Sequence, residues 1–213
     1  MIKTIIFDWD GVLCDTVKTQ FKAYSVVLEK LRLPRISFAD FPKLWESDYR
    51  KFEEKIGITK DRRSRGDKIW FSSYNKLKKE VKLFPGARGF LFKIKKNYRV
   101  GLVTAGTTNR VKSELKRYKI DNIFDAVVTG DDTRKLKPDP EGLNICAKKL
   151  KTDPKDCVYI GDSRGDILAA KNAGMIPIAV SWGYHGGSIL KEAKPAYLVD
   201  NFDELYKVIE NFK

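Results

Sequence analysis

The sequence predicts an α/β fold, a doubly wound parallel sheet interrupted early by an α-helical insertion. Three observations carry this. From residue 87 onward, short apolar runs alternate with stretches whose apolar residues recur three or four apart, the pattern of a parallel sheet covered by helices on both faces. A further apolar run opens the chain. Between it and the alternating part, residues 17–84 carry apolar and aromatic residues at helical spacing, with no strand-like run among them. The chain has 213 residues, 42% hydrophobic and 33% charged, enough apolar material for one core plus an insertion, which excludes wholesale disorder.

The elements follow in order. Residues 2–7 (IKTIIF) are β-branched and aromatic and read as a buried strand. In the insertion, TQFKAYSVVLEKL, DFPKLWESDYRKFEEKI and KIWFSSYNKLKKEV read as helices. Their aromatics Trp45, Tyr49, Phe52, Trp70, Phe71 and Tyr74 are expected to pack that helical piece. Pro85-Gly86 marks its end. Strands are then expected at 99–104, 125–129, 157–161 and 176–180, and a weaker one at 196–199. The helices between them are ARGFLFKIKKN, RVKSELKRY, EGLNICAKKL and DILAAKNAG, several stopping at Gly or Asn.

Composition excludes other classes. No run approaches the roughly 18 apolar residues of a membrane span. The opening MIKTIIFDWDG meets two carboxylates too soon for a signal peptide. Cys14, Cys146 and Cys157 form no CxxC and no even framework, so a reduced, cytoplasmic compartment is expected. The net charge is +14. It is spread along the chain without a basic-aromatic motif, which argues against a nucleic-acid-binding module and for a solvated surface.

Four segments carry chemistry. In Phe7-Asp8-Trp9-Asp10-Gly11, two carboxylates end a strand where a turn begins, the edge at which open α/β sheets bind ligands. Such a pair is costly unless a cation, hydrogen bonds or a shared proton relieve it; an Asp capping the next helix is the plainer alternative. Tyr159-Ile160-Gly161-Asp162-Ser163-Arg164-Gly165-Asp166 also follows a strand and opens a helix. It supplies carboxylates for a hard-oxygen metal site, while Asp162 or Ser163 would serve equally as an N-cap. Val103-Thr104-Ala105-Gly106 ends a third strand with a hydroxyl and open amides suited to a phosphate oxygen. Leu136-Lys137-Pro138-Asp139-Pro140 places one lysine before a Pro-fixed turn.

Together and in this order these segments resemble the haloacid dehalogenase-like hydrolase superfamily, in its phosphoglycolate-phosphatase-like branch. FDWDGVLCDT is similar to the family's first motif, VTAG to its second, KPDP to its third and YIGDSRGD to its fourth. The resemblance covers nearly the whole chain. It implies a Rossmann-like catalytic core at 1–16 and 85–213 with a helical cap domain at 17–84. It also implies a phosphoric monoester hydrolase, Mg²⁺-dependent, that takes a small phosphorylated substrate through an aspartyl-phosphate. By resemblance Asp8 is the nucleophile and Asp10 the general acid, which then activates water. Thr104 and the amides of Ala105 and Gly106 hold phosphoryl oxygens, and Lys137 neutralises charge. Asp162 ligates Mg²⁺ with Asp8 and the Asp10 carbonyl, and Asp166 assists directly or through water. The family often has Asn where Ala105 stands, which removes a side-chain donor and leaves the amide. Gly161, where the superfamily's sugar-phosphate mutases tend to carry another acid, favours a phosphatase over a mutase or phosphotransferase. Asp10 argues against a dehalogenase, since halide needs no protonation.

Three weaker features complete the reading. The cap segment 60–68 gathers Arg62, Arg63 and Arg65, either a solvated turn or a set reaching a second anionic group on the substrate. His185, the only histidine, is expected to be an ordinary loop residue, and Cys14 a packing residue. The cap is expected to close over the first-motif cleft on hinges near Asp15–Lys18 and Phe84–Gly86.

Overall fold

The computed structural model describes residues 1–212, so Lys213, the last residue of the expected core, lies outside the described residues. Strands β1 (Thr4–Phe7) and β2 (Cys14–Asp15) come first, followed by helices α1 (Val17–Lys30), α2 (Phe41–Leu44), α3 (Tyr49–Lys55) and α4 (Lys60–Leu77). Then β3 (Lys82–Leu83), α5 (Ala87–Ile94), β4 (Arg99–Val103), α6 (Thr108–Arg117), β5 (Ala126–Val128) and α7 (Glu141–Lys149) lead to β6 (Cys157–Gly161). The chain ends through α8 (Arg164–Asn172), β7 (Ile176–Val180), α9 (Gly187–Glu192), β8 (Tyr197–Val199) and α10 (Phe202–Glu210).

Six strands form one parallel sheet in the order β5-β4-β1-β6-β7-β8. The strand period of two divides their side chains between the faces. Ile5, Phe7, Val100, Leu102, Val158 and Ile160 meet α5, α6 and α10 in one fully interior cluster. Ile6, Val103, Val128 and Tyr159 meet α7 and α8 in another. Burial on both faces is why these strands read as continuous apolar runs. The chain order runs outward from β1 through β4 to β5 and then returns to β6 on the other side of β1. The carboxyl ends of β4, β1 and β6 therefore lie side by side at the topological switch point.

The four helices α1–α4 lie between β2 and β3, two short strands that pair antiparallel, Cys14 opposite Leu83 and Asp15 opposite Lys82. This ribbon was not expected from the sequence, since two residues carry no periodicity. The helices pack on each other through Tyr24, Val27, Leu28, Phe41 and Phe52, with Tyr184 from the core against them. The stretch read as one helical unit at 40–56 is two helices, α2 and α3, separated by an unwound segment at Trp45–Asp48 whose Asp48 caps α3. Of the six insertion aromatics expected to pack the helical piece, Phe52 and Tyr74 are buried. Trp45, Tyr49 and Trp70 are half-buried, and Phe71 is exposed. Trp70 and Phe71 are adjacent on α4 and cannot share one face.

Candidate active site

Each expected motif ends at the same sheet edge. Asp8 follows β1, Thr104 follows β4 and Asp162 follows β6, and the loop after β5 brings in Lys137. These four residues, with Asp10, Ala105, Ser163, Tyr184 and the cap residues Trp45 and Ser47, line one cavity of about 310 Å³, including the part open to solvent.

Lys137 is the electrostatic hub. It is 6% exposed, and its Nζ lies 2.9 Å from Asp8 Oδ2 and 2.6 Å from Asp166 Oδ1. Nζ also donates to Tyr159 Oη at 3.0 Å, and that hydroxyl donates to Asp166 Oδ1 at 3.1 Å. Burial works against the lysine's charge, but Asp166 and Asp8 outweigh it and hold the ammonium above its ordinary pKa. Burial pushes the Asp8 carboxyl up to about 7 against the opposing pull of Lys137, and Asp166 adds to the rise. The other Asp8 oxygen accepts the Trp9 amide at 2.7 Å. Asp162, pushed well up by burial and by its neighbours Asp166 and Asp8, accepts the Tyr184 amide at 2.6 Å.

Space around Asp162 is tight. A Cβ at Gly183 would lie 2.0 Å from Asp162 Oδ2, and one at Gly11 would lie 2.1 Å from the same atom. Gly11 also has φ +79°, the left-handed region glycine favours. The two glycines thus let backbone close around one carboxylate.

Of the two capping alternatives, Ser163 is the N-cap of α8. It forms a reciprocal capping box with Asp166, whose Oδ2 accepts the Ser163 amide at 3.0 Å and the Ser163 hydroxyl. Asp166 is thus saturated by Lys137, Tyr159 and Ser163, while Asp162 keeps an oxygen for another partner. Carboxylate oxygens of Asp8, Asp162 and Asp166 all lie within 4.8 Å of one another, and all three residues are buried. Three buried carboxylates against one lysine suit a hard divalent cation: the donors are all oxygen, and a cation would offset the repulsion that raises Asp8 and Asp162.

On the second-motif side, Thr104 Oγ1 accepts the Gly106 amide at 3.1 Å. Thr104 and Ala105 face the cavity with Asp8, whereas Gly106 lines a neighbouring cleft. Asp10 lines both spaces, as do Trp45, Ser47 and Ala105.

A chain with this edge of β1, β4 and β6 can be set beside known proteins. A profile of the haloacid dehalogenase-like hydrolases matches residues 5–180. The chain belongs to this family. It is an enzyme of the hydrolase fold, and the Rossmann-like sheet expected from its motifs is the one observed. Pyrophosphatase PpaX of Bacillus mycoides is 36% identical over 115 residues, 54% of each chain, so this match spans about half the length of the curated relative. Pyrophosphatase PpaX of Bacillus cereus strain B4264 is 29% identical over 220 residues, 99% of this chain and 97% of the relative. Among solved structures, a hydrolase from Pseudomonas syringae is 25% identical with a TM-score of 0.86 over 98% of both chains. A predicted phosphoglycolate phosphatase from Haemophilus somnus superposes with a TM-score of 0.87 over 98% of both chains at 23% identity, a likeness of fold.

The cap arginines are not brought to the site. Arg63 donates to Glu53 Oε2 at 2.9 Å and to Glu54 Oε1 at 3.1 Å, and Arg62 and Arg65 are exposed. None of the three lines either cavity: Arg63 is half-buried against α3 and held there by its glutamates, while Arg62 and Arg65 face solvent. His185 is buried: Nδ1 accepts the Arg164 amide at 3.0 Å, and Nε2 lies 3.2 Å from the Trp45 carbonyl, joining core to cap. Cys14 is fully buried in the main cluster.

Sequence reasoning missed Arg110. Its Nη1 and Nη2 donate to Asp10 Oδ1 at 2.9 Å and Oδ2 at 2.5 Å, a bidentate clamp. Behind it Glu114 Oε2 lies 3.4 Å from Arg110 Nη1 and accepts Trp9 Nε1 at 2.6 Å, while Oε1 accepts the Tyr74 hydroxyl at 2.8 Å. A signal existed: a cation in the first turn of α6 opposes the helix dipole and needs a local reason. Tyr159 was missed as a participant too, being a polar-tipped aromatic within an otherwise aliphatic strand.

Proposed function

We propose that the protein is a Mg²⁺-dependent phosphatase that hydrolyses a small phosphorylated metabolite through an aspartyl-phosphate on Asp8. The observation that carries this is the position of Asp10, on the wall between the cavity that holds Asp8, Thr104, Lys137 and Asp162 and a larger cleft beside it. A phosphoryl group in the first space and a leaving group in the second would have the bridging oxygen at Asp10.

The chain's own residues then have defined tasks. Asp8 attacks phosphorus as a carboxylate and the bond to the leaving oxygen breaks, while Asp10 gives that oxygen a proton. In the second half Asp10 takes a proton from a water that attacks the same phosphorus, the bond to Asp8 breaks, and inorganic phosphate forms. Lys137, with the Thr104 hydroxyl and the Ala105 amide, faces the charge that builds on the phosphoryl oxygens. Asp8, Asp162 and the Asp10 carbonyl would hold Mg²⁺, with Asp166 steadying the set through Lys137 and Ser163; bound there, the ion would offset the repulsion between the Asp8 carboxylate and an anionic substrate. Because Arg110 grips both oxygens of Asp10, that clamp must open before Asp10 carries a proton.

The mutase alternative is disfavoured at Gly161, where a Cβ would lie 2.2 Å from the Asp166 Cβ, leaving no room for another acid. The three cysteines are buried and unpaired, which supports the cytoplasmic expectation. Among the described residues no helix is long and apolar enough to cross a membrane.

The test is phosphate release over a panel of phosphorylated metabolites, with inorganic pyrophosphate included because the relatives bear that name, in Mg²⁺ and after chelation. Turnover that needs Mg²⁺, with Asp8→Asn inactive and taking up no covalent phosphate, is expected. An Asp8→Asn enzyme near the wild-type rate refutes the mechanism.

A further inference from the structure

The cleft beyond Asp10 holds about 620 Å³, including the part open to solvent. Its cap side is aromatic: Tyr24, Trp45, Tyr49, Trp70 and Phe71. Its charged groups are unequal in their partners. Asp10 is taken by Arg110, the one cation among the described lining residues. Glu53 is taken by Arg63 and Tyr24. Asp67, one turn before Trp70 and Phe71 on α4, accepts no hydrogen bond and forms no ion pair among the described residues, although it is half-buried.

A carboxylate with no bonded partner among several aromatic side chains is the wrong surface for an anionic tail and a good one for a cation, which it neutralises while the electron-rich rings favour the same charge. A phosphorylated acid or a second phosphate would find acids in this cleft and its only arginine already engaged. A neutral polyol could fill the space, but it would leave the Asp67 charge unbalanced.

We propose that the leaving group of the substrate carries an ammonium, held by Asp67 among Tyr49, Trp70 and Phe71, so that this enzyme acts on phosphomonoesters of amino alcohols. The inference rests on the phosphatase reading above. It reverses what the arginines of 60–68 suggest from sequence alone, because none of them lines the cleft and Arg63, behind its wall, is held by Glu53 and Glu54. The state of the acids agrees with it. Burial raises the Asp67 carboxyl against the pull of Arg63, and burial with the neighbouring Asp67 pushes Glu53 up to about 7 although Arg63 is bonded to it, so a cation entering the cleft would be welcome at both.

The experiment compares matched esters that differ only at the far end, with an amine, a hydroxyl or a carboxylate on the same short alkyl phosphate, alongside para-nitrophenyl phosphate. The amine ester is expected to lead the hydroxyl ester in kcat/KM by about tenfold or more and the carboxylate ester by a wider margin. Asp67→Asn is expected to collapse the amine-over-hydroxyl ratio towards one, mainly through KM, and Asp67→Glu to restore part of it. Circular dichroism establishes that both variants are folded. Release of nitrophenol with no preference for the amine, or with the carboxylate ester preferred, overturns this inference and leaves the phosphatase reading standing. A ratio unchanged in folded Asp67→Asn also overturns it. No Mg²⁺-dependent release from any ester overturns both.

Discussion

Lys137→Met should destabilise the protein, and by an amount that depends on pH. Methionine is unbranched and of similar length, so it fills the space and removes only the charge and its hydrogen bonds. The lysine is 6% exposed and sits within 3.0 Å of Asp8, Asp166 and Tyr159 oxygens. Removing one partner of a buried ion pair costs about 3–5 kcal/mol. For a chain of this size each kcal/mol is about 2–4 °C, so Tm should fall by roughly 6–20 °C in metal-free buffer at alkaline pH. Protonation relieves part of the cost. Asp8 already has its carboxyl raised from 3.8 to about 7, and Lys137 is an influence that lowers it, so the variant should raise it further. An acid raised in the folded state contributes stability that is present below its unfolded value and is lost as pH climbs through the folded one. The gap between wild type and variant should therefore be narrow near pH 5 and wide near pH 8. Scanning calorimetry at both pH values, with chelator present, measures it. A Tm change under about 2 °C at pH 8, or an equal gap at both pH values, would refute the assignment of Lys137 as the counter-charge. Turnover in the folded variant should drop on the order of 10²–10³-fold.

Two further predictions concern the neighbours. Asp10→Asn should slow an alkyl phosphate by about 10²–10⁴-fold while sparing para-nitrophenyl phosphate, whose leaving oxygen needs little protonation; equal losses on both esters would remove Asp10 from the acid role. Gly183→Ala forces the Asp162 carboxylate to move, since the new Cβ would lie 2.0 Å from it, so the Mg²⁺-induced rise in Tm should shrink. For wild type that rise reflects about 2.7 kcal/mol at a hundredfold excess over Kd, and an unchanged rise in the alanine variant would take Asp162 out of the ion's site.

What the sequence made legible was whatever is local. The strands at 157–161 and 176–180 match β6 and β7 residue for residue, because buried parallel strands are unbroken apolar runs between Gly- and Asp-marked turns. Asp8, Thr104 and Asp162 were legible for the same reason: each directly follows such a run. The break between α2 and α3 was hidden, because the apolar spacing continues through it. Arg110 was hidden because its role depends on Asp10, a hundred positions away in the chain. Nothing local distinguishes it from the other 41 basic residues except its place at a helix start. The three arginines at 62–65 show the reverse error. Their clustering in sequence is real, but a helix with one face on α1 turns the residues near its start outward, and Arg63 is satisfied by Glu53 and Glu54.

A chain of charge +14 attracts phosphorylated molecules from a distance by their net charge, without regard to the shape of their tails. That field is screened within about 8–10 Å at ordinary salt, so it can gather substrates but not choose among those of equal charge. Choice falls to groups out of reach of the bulk field. In the cavity proposed for the phosphoryl group these are Asp8, Asp10 and Asp162 with Lys137, negative on balance and therefore receptive to an anion once a cation joins them. In the cleft beyond Asp10 they are acids and aromatic rings with their one arginine engaged. On the proposed reading the net positive charge would act on encounter and the acids of the site on fit. Raising the ionic strength should accordingly slow kcat/KM most for the carboxylate ester, which carries the largest net charge, and least for the amine ester, while the ratio between esters of equal charge stays nearly unchanged.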